Sequence, residues 1–104
     1  MPEISVHTSG KGRVSLPAYG VADAEHQVEK ELSRAWPELR VDVIAINRAG
    51  EGRIVEEFVI SYRVHATVRV EAESAESARR AALRRLRDVF KGTRHRRIQW
   101  DRVQ

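Results

Sequence analysis

The feature that most constrains the fold is a stretch of strictly alternating residues from position 58 to position 73. A period of two places successive side chains on opposite faces of a β-strand. Strands usually have about five or six residues, so this segment is either a long bent strand or a strand with an arm that projects past the sheet. Its apolar face is formed by Phe58, Ile60, Tyr62, Val64, Ala66, Val68, Val70 and Ala72.

Two other segments carry the helical period. Apolar residues recur at helical spacing from Val21 to Trp36, and Pro37 ends this segment because proline cannot continue the hydrogen-bond ladder. The second helix is expected from Ala75 to Phe90, with Ser74 as its N-cap. Gly92 is expected to stop it.

Three further strands are predicted around these elements. Residues 40–48 form the first, and they make a hairpin with residues 53–59, which run into the long alternating strand, around the turn at residues 49–52. The last strand is expected from His95 to Val103. At the N-terminus the apolar residues share one parity, but residues 9–12 interrupt them, which predicts a strand broken by a flexible bulge or turn. Pro17 is expected at the end of that strand, where it removes no ladder donor.

The chain also matches itself at a fixed offset of 54 residues. Val14 falls on Val68, Leu32 on Leu86 and Ile44 on Ile98, which gives pseudo-repeats at about 13–48 and 67–102 within one domain, 1–104. Duplication explains this match, but any two strand-helix-strand units of equal length would align similarly. Either way the order resembles the ferredoxin-like βαββαβ fold: an α+β domain with a four-stranded antiparallel sheet and both helices on one face. This fold hosts many functions.

Composition excludes several chemistries. The 104 residues contain no cysteine, so disulfides and thiolate metal sites are excluded, and a cytoplasmic location is expected. No apolar stretch is long enough to span a membrane. The four histidines are scattered without metal-ligand spacing, and Glu56 and Glu57 point to opposite faces of a strand. We therefore expect a soluble, non-catalytic protein with no metal and no cofactor.

The charge is concentrated in the C-terminal half of the chain. Residues 1–57 carry a net charge of −3, whereas residues 58–104 carry +7. Cations of the second helix fall within about 60° of arc, and more cations open the expected last strand. Such a stripe predicts phosphate contacts with DNA or RNA. The candidate binding residues are Arg80, Arg84, Arg87, Lys91, Arg94, Arg96 and Arg97. The alternative is a solvated face in a chain in which 16 of 19 basic residues are arginine.

Two other functions stay open. The long strand and the oppositely charged helices predict an assembly module, either a homodimer or a domain that docks on a protein partner. The other function is that of a regulatory domain that binds a small ligand at the turn formed by Tyr19 and Gly20. Only the similarity of topology supports it. The polar row Arg63, His65, Thr67 and Arg69 contains no aromatic residue for base stacking. We therefore interpret this row as solvated or covered by a second copy, and assign Tyr62 and Trp100 to the core by parity.

Overall fold

The computed structural model describes residues 1–50 and 54–104. In chain order the elements are β1 (Glu3–Ala18), α1 (Val21–Ala35), β2 (Arg40–Gly50), β3 (Glu56–Glu71), α2 (Ala75–Phe90) and β4 (Gln99–Val103). The strands form one sheet in the order β2-β3-β1-β4, and neighbouring strands are antiparallel. Buried residues of both helices belong to one core cluster with the even-numbered residues of β1 and β3. The predicted ferredoxin-like α+β fold is therefore confirmed.

A long ladder between β1 and β3 sets the shape of the molecule. Both strands have 16 residues and pair over their full length, from Glu3 opposite Glu71 to Ala18 opposite Glu56. At about 3.3 Å per residue such a ladder is roughly 53 Å long, close to the 56 Å longest extent of the molecule. Neither strand of this pair therefore projects past its partner.

The predicted break in the N-terminal strand is wrong, because β1 is continuous through residues 9–12. Gly10 and Gly12 occupy positions with the parity of the core, where neighbouring atoms fill the space that side chains would take. A Cβ at Gly12 would overlap the Cζ and Oη atoms of Tyr62, and one at Gly10 would lie 2.8 Å from the carbonyl oxygen of Gln99 and 3.0 Å from Cε3 of Trp100. Gly12 therefore makes room for the Tyr62 ring, and Gly10 allows the close approach of β4. The irregularity is confined to the β4 side, where the register shifts between Ser9 and Gly10.

The core follows the predicted parity and helical arcs. Even positions of β3 from Phe58 to Val68 are buried. Helix positions that correspond at the 54-residue offset are buried in both halves, as with Leu32 and Leu86. That the two halves arose by duplication stays a prediction. Trp100 is half-buried against this core, with its ring 6.2 Å from that of Phe90. The helix-facing side of the sheet is thus mainly apolar, and the buried Thr8 hydroxyl on it donates to the carbonyl of Ala66.

Both helices begin and end close to the predicted residues. The N–H of Trp36 bonds to the carbonyl of Leu32 at 2.9 Å, and Pro37 follows. Ser74 caps α2 in a capping box with Ser77, as the N-cap prediction requires. Gly92 lacks the left-handed conformation expected of a C-terminal stop.

The carbonyl of Phe90 explains how α2 ends. It accepts hydrogen bonds from both the N–H of Thr93, at 3.1 Å, and the hydroxyl of Thr93, at 2.8 Å. Thr93 therefore satisfies one of the last carbonyls of the helix, which have no partner within the helix itself.

The boundaries of the other strands differ from the prediction. The last strand begins at Gln99 instead of His95, because residues 91–97 form turns. β2 and β3 pair as the predicted hairpin, but β2 continues through Ala49 to Gly50 and β3 begins at Glu56. The rest of the expected hairpin turn, Glu51 and Gly52, and the expected strand start at Arg53 lie outside the described residues. Pro17 lies one residue before the end of β1, as predicted.

Candidate functional site

The basic face of α2, which we define as Arg80, Arg84, Arg87 and the C-cap residue Lys91, is exposed to solvent. Its spacings of 4, 3 and 4 place it away from the buried residues of the same helix, Ala78, Ala82, Leu86 and Phe90. The three arginines line a shallow groove together with Leu83 and Asp88. Within residues 1–50 and 54–104, no carboxylate forms an ion pair with this face. Four positive charges thus lie along one side of the helix.

Arg85 belongs to α2 but has a different role. Its guanidinium lies 5.2 Å from the ring centre of Trp36 at the end of α1, and Nη1 donates to the carbonyl of Arg69 at 3.4 Å. A guanidinium over an indole ring is a cation–π contact. Arg85 therefore joins the two helices and the sheet and is separate from the basic face.

The three candidate arginines after α2 lie in turns and make different contacts. Arg94 forms an ion pair with Glu31 of α1, with Nη2 3.2 Å from Oε2. Arg96 is exposed. Arg97 lines a cleft on the sheet together with Lys11 and Arg13. The prediction that a strand starts at these residues is therefore wrong. The seven candidates do not form one surface: four lie on the basic face of α2, Arg94 pairs with α1, Arg96 is exposed, and Arg97 lines the cleft.

A buried polar network explains why the turn takes this course. His95 is only 2% exposed. Its Nδ1 lies 2.7 Å from the hydroxyl of Tyr62, and its Nε2 lies 2.9 Å from Oε1 of Glu31. Because a carboxylate only accepts, Nε2 carries the proton toward Glu31 and Nδ1 accepts from the Tyr62 hydroxyl. This network fixes the turn to both the sheet and α1.

Burial determines the protonation of this network. Desolvation lowers the pKa of His95, and the hydrogen bond and charge of Glu31 oppose this effect without cancelling it. Burial also raises the pKa of the Tyr62 hydroxyl, and the negative charge of Glu31 adds to the rise. Both groups are therefore neutral near pH 7. The network's geometry suits a structural anchor, since its imidazole is closed to solvent.

Sequence reasoning missed this network because its members come from distant parts of the chain. His95 is surrounded by arginines, and parity assigns Tyr62 to the core without naming a partner. Glu31 appears only as one of several acids on the first helix. The one available signal was a hydroxyl-bearing ring at a core position, since buried Tyr hydroxyls need hydrogen-bond partners.

The sheet face away from the helices is occupied by cross-strand polar contacts. Arg63 donates two hydrogen bonds to Asp101, at 3.2 and 3.0 Å, and these bonds lower the pKa of the Asp101 carboxyl. His65 lies 3.4 Å from Asp42. The polar row expected to be solvated or covered by a second copy therefore contains side chains that already have partners.

The turn at Tyr19 and Gly20 is held by local hydrogen bonds. Asp23 Oδ2 accepts from the N–H of Tyr19 at 3.0 Å and from Nε2 of Gln27 at 3.1 Å. Within the described part of the chain, no three His, Asp or Glu side chains are grouped as a metal site. No helix there is long and apolar enough to cross a membrane.

In comparisons with known proteins, no family model matches this sequence, and neither a curated protein nor a solved structure matches it significantly. The ferredoxin-like topology therefore stands on the element order and strand pairing described above. Because this topology serves many functions, inference about function depends on the surface features of this chain.

Proposed function

We propose that this protein is a non-catalytic nucleic-acid-binding domain that contacts phosphates through the basic face of α2. The observation that carries the proposal is the set of four exposed cations on one helix side, with no ion-pair partner in residues 1–50 and 54–104. Phosphate contacts by Arg and Lys supply most sequence-independent affinity for DNA and RNA.

The spacing of the basic face favours an anionic partner over water alone. Like charges at helical i, i+4 positions destabilise an isolated helix by about 0.2 to 0.5 kcal/mol per pair. Arg80 with Arg84, and Arg87 with Lys91, have this spacing. A row of phosphates would remove this repulsion and gain attraction, and the concentration of positive charge would also speed association.

The contacts rank the six arginines among the candidates. Arg80, Arg84 and Arg87 line the same groove, so we expect them to contribute most. Arg96 is exposed in the turn that follows the helix and can add a phosphate contact. Arg94 is already paired with Glu31 and would contribute less, because a phosphate must compete with that carboxylate. Arg97 lines the sheet cleft.

The test compares two double variants of equal charge. Arg80→Gln with Arg84→Gln removes two charges from the basic face, and we expect it to weaken binding to a labelled oligonucleotide by about tenfold or more. The matched control, Arg40→Gln with Arg48→Gln, removes two exposed arginines of β2 that are paired with Asp42 and Glu56. Equal losses in both folded variants would show that net charge alone drives binding and would reject the basic face.

A second candidate function, self-assembly, is favoured by β2. This edge strand has 11 residues, and in the described part of the chain no strand pairs with its outer side. Ile44 is 64% exposed at the bulge between Val43 and Ala45. An unpaired strand edge offers its backbone N–H and C=O groups for pairing with a second copy. Sedimentation that gives only the monomer mass at about 100 μM, a concentration that populates even micromolar dimers, would exclude this function.

A further inference from the structure

A cleft of about 620 Å³ lies on the sheet where β4 stops covering β1. β4 pairs with β1 between Thr8 and Lys11, whereas β1 continues to Ala18. The turn before β4 closes one side of the cleft, and the bulge of β2 closes the other. Its lining consists of Lys11, Gly12, Arg13, Val14, Ser15, Ile44, Val59, Ser61, Tyr62, Arg97 and Gln99.

The charged residues of this lining are all cations. Lys11 and Arg13 come from β1, and Arg97 comes from the turn before β4. None of the three forms an ion pair with a carboxylate of residues 1–50 or 54–104. The carboxylate that feels the charge of Lys11 is Asp101, and Arg63 already holds both of its oxygens. The cleft therefore has a surplus of positive charge.

The rest of the lining combines polar donors with an apolar surface. The hydroxyls of Ser15 and Ser61 and the amide of Gln99 are hydrogen-bonding groups of the type that bind phosphate oxygens. At the β2 side, Ile44 is largely exposed and Val59 is half-buried. An inorganic anion would leave this apolar side uncovered, whereas a larger molecule would cover it.

The dimensions match those of small-molecule sites, which are about 300 to 1,000 Å³. From this combination we propose that the cleft binds a phosphorylated small molecule of about nucleotide size. Its phosphate contacts Lys11, Arg13 and Arg97, and its less polar part covers Ile44 and Val59. Because no residue of the basic face of α2 lines the cleft, this site is separate from that face, although Arg97, one of the seven candidate residues, lines it.

The buried polar network of Tyr62, His95 and Glu31 connects this site to the rest of the fold. Tyr62 lines the cleft and bonds to His95, and Arg97 follows His95 by two residues. The network thus fixes the backbone of the turn two residues before Arg97.

The experiment is a titration of the full chain, followed through its backbone amide NMR signals, with adenosine monophosphate, ribose 5-phosphate, inorganic phosphate and adenosine as probes. We expect the phosphorylated organic probes to shift amides at residues 11–15, 59–61 and 97–99, with weaker effects from inorganic phosphate and none from adenosine. Lys11→Gln with Arg13→Gln should weaken adenosine monophosphate binding by about tenfold or more, since each lost contact is a charge-assisted hydrogen bond.

The matched control is Arg69→Gln with Arg102→Gln, which removes two exposed arginines outside the cleft. It should retain the affinity of the unmodified protein, as should Arg80→Gln with Arg84→Gln. The proposal is overturned if none of the phosphorylated organic probes shifts these amides at about 10 mM, far above the concentration a specific site requires. It is also overturned if the shifts map to α2, or if the cleft variant binds as tightly as its control. Because Arg80→Gln with Arg84→Gln tests nucleic-acid binding and leaves the cleft unchanged, failure of the cleft proposal can be distinguished from failure of the proposed function.

Discussion

His95 differs from its sequence neighbours in every respect that matters for its chemistry. The arginines on both sides are exposed, yet its imidazole is buried between Tyr62 and Glu31. A buried imidazole with one donor and one acceptor role satisfied is most stable in its neutral form. Protonation would place a second N–H against the Tyr62 hydroxyl and a charge in a desolvated site.

The stability of the fold should therefore depend on pH through His95. Its folded-state pKa is lowered by burial, whereas in the unfolded chain it is about 6.5. Above about pH 6.5 the His95 imidazole is neutral in both the folded and the unfolded state, so its full contribution to the free energy of unfolding is present. Below that pH the unfolded state takes up the proton first, so the free energy of unfolding falls as the pH falls toward the folded-state pKa.

Denaturant unfolding between about pH 7.5 and pH 5, across the titration range of histidine, measures this effect. The His95→Gln variant should be less stable at pH 7.5, because its amide cannot reproduce both hydrogen bonds, but its stability should change less over this range. His26→Gln, an exposed change on α1, is the control and should keep the wild-type pH dependence. Parallel pH profiles for wild type and His95→Gln would show that His95 does not titrate differently on folding.

At the scale of elements, β1 and β3 show which parts of a strand a sequence can predict. The alternation from position 58 predicts the buried face of β3 because period two is a local property. Gly10 and Gly12 mislead, since their role depends on neighbours across the sheet: the backbone of Gln99 and the Trp100 ring for Gly10, and the Tyr62 ring for Gly12. The start of β4 was also missed, because the His95 contacts that hold residues 91–97 in turns come from distant residues.

Gly12→Ala tests this interpretation of β1. The added Cβ would overlap the Tyr62 ring, and Tyr62 cannot move without disturbing its bond to His95. We expect a loss of about 1 to 3 kcal/mol in the free energy of unfolding, the usual cost of overpacking, measured by urea denaturation.

Gly92→Ala is the matched control for this change. Nothing lies within 4 Å of the position that its Cβ would occupy, and Gly92 is exposed and does not have a positive φ. The control should change stability by less than about 0.5 kcal/mol, as is usual for surface positions. If the two variants were equally stable, Gly12 would not be required for the packing of Tyr62.

For the whole molecule, the long ladder gives an elongated shape and separates two positively charged surfaces. The basic face of α2 lies on the helical layer, and the cleft that contains Lys11 and Arg13 lies on the sheet. The fold was predictable because helical and strand periods are read locally. The division of the candidate arginines was not predictable, since it depends on how the turn after α2 is fixed by Glu31 and Tyr62.

The salt dependence of nucleic-acid binding tests the central claim most directly. If four cations of α2 each neutralise one phosphate, the logarithm of the affinity for duplex DNA should fall with the logarithm of salt concentration with a slope of about −3.6. Between about 50 and 200 mM salt this is a loss of roughly a hundredfold. Binding that is absent at low salt, or that is insensitive to salt, would contradict the assignment of the basic face of α2 as a phosphate-binding surface.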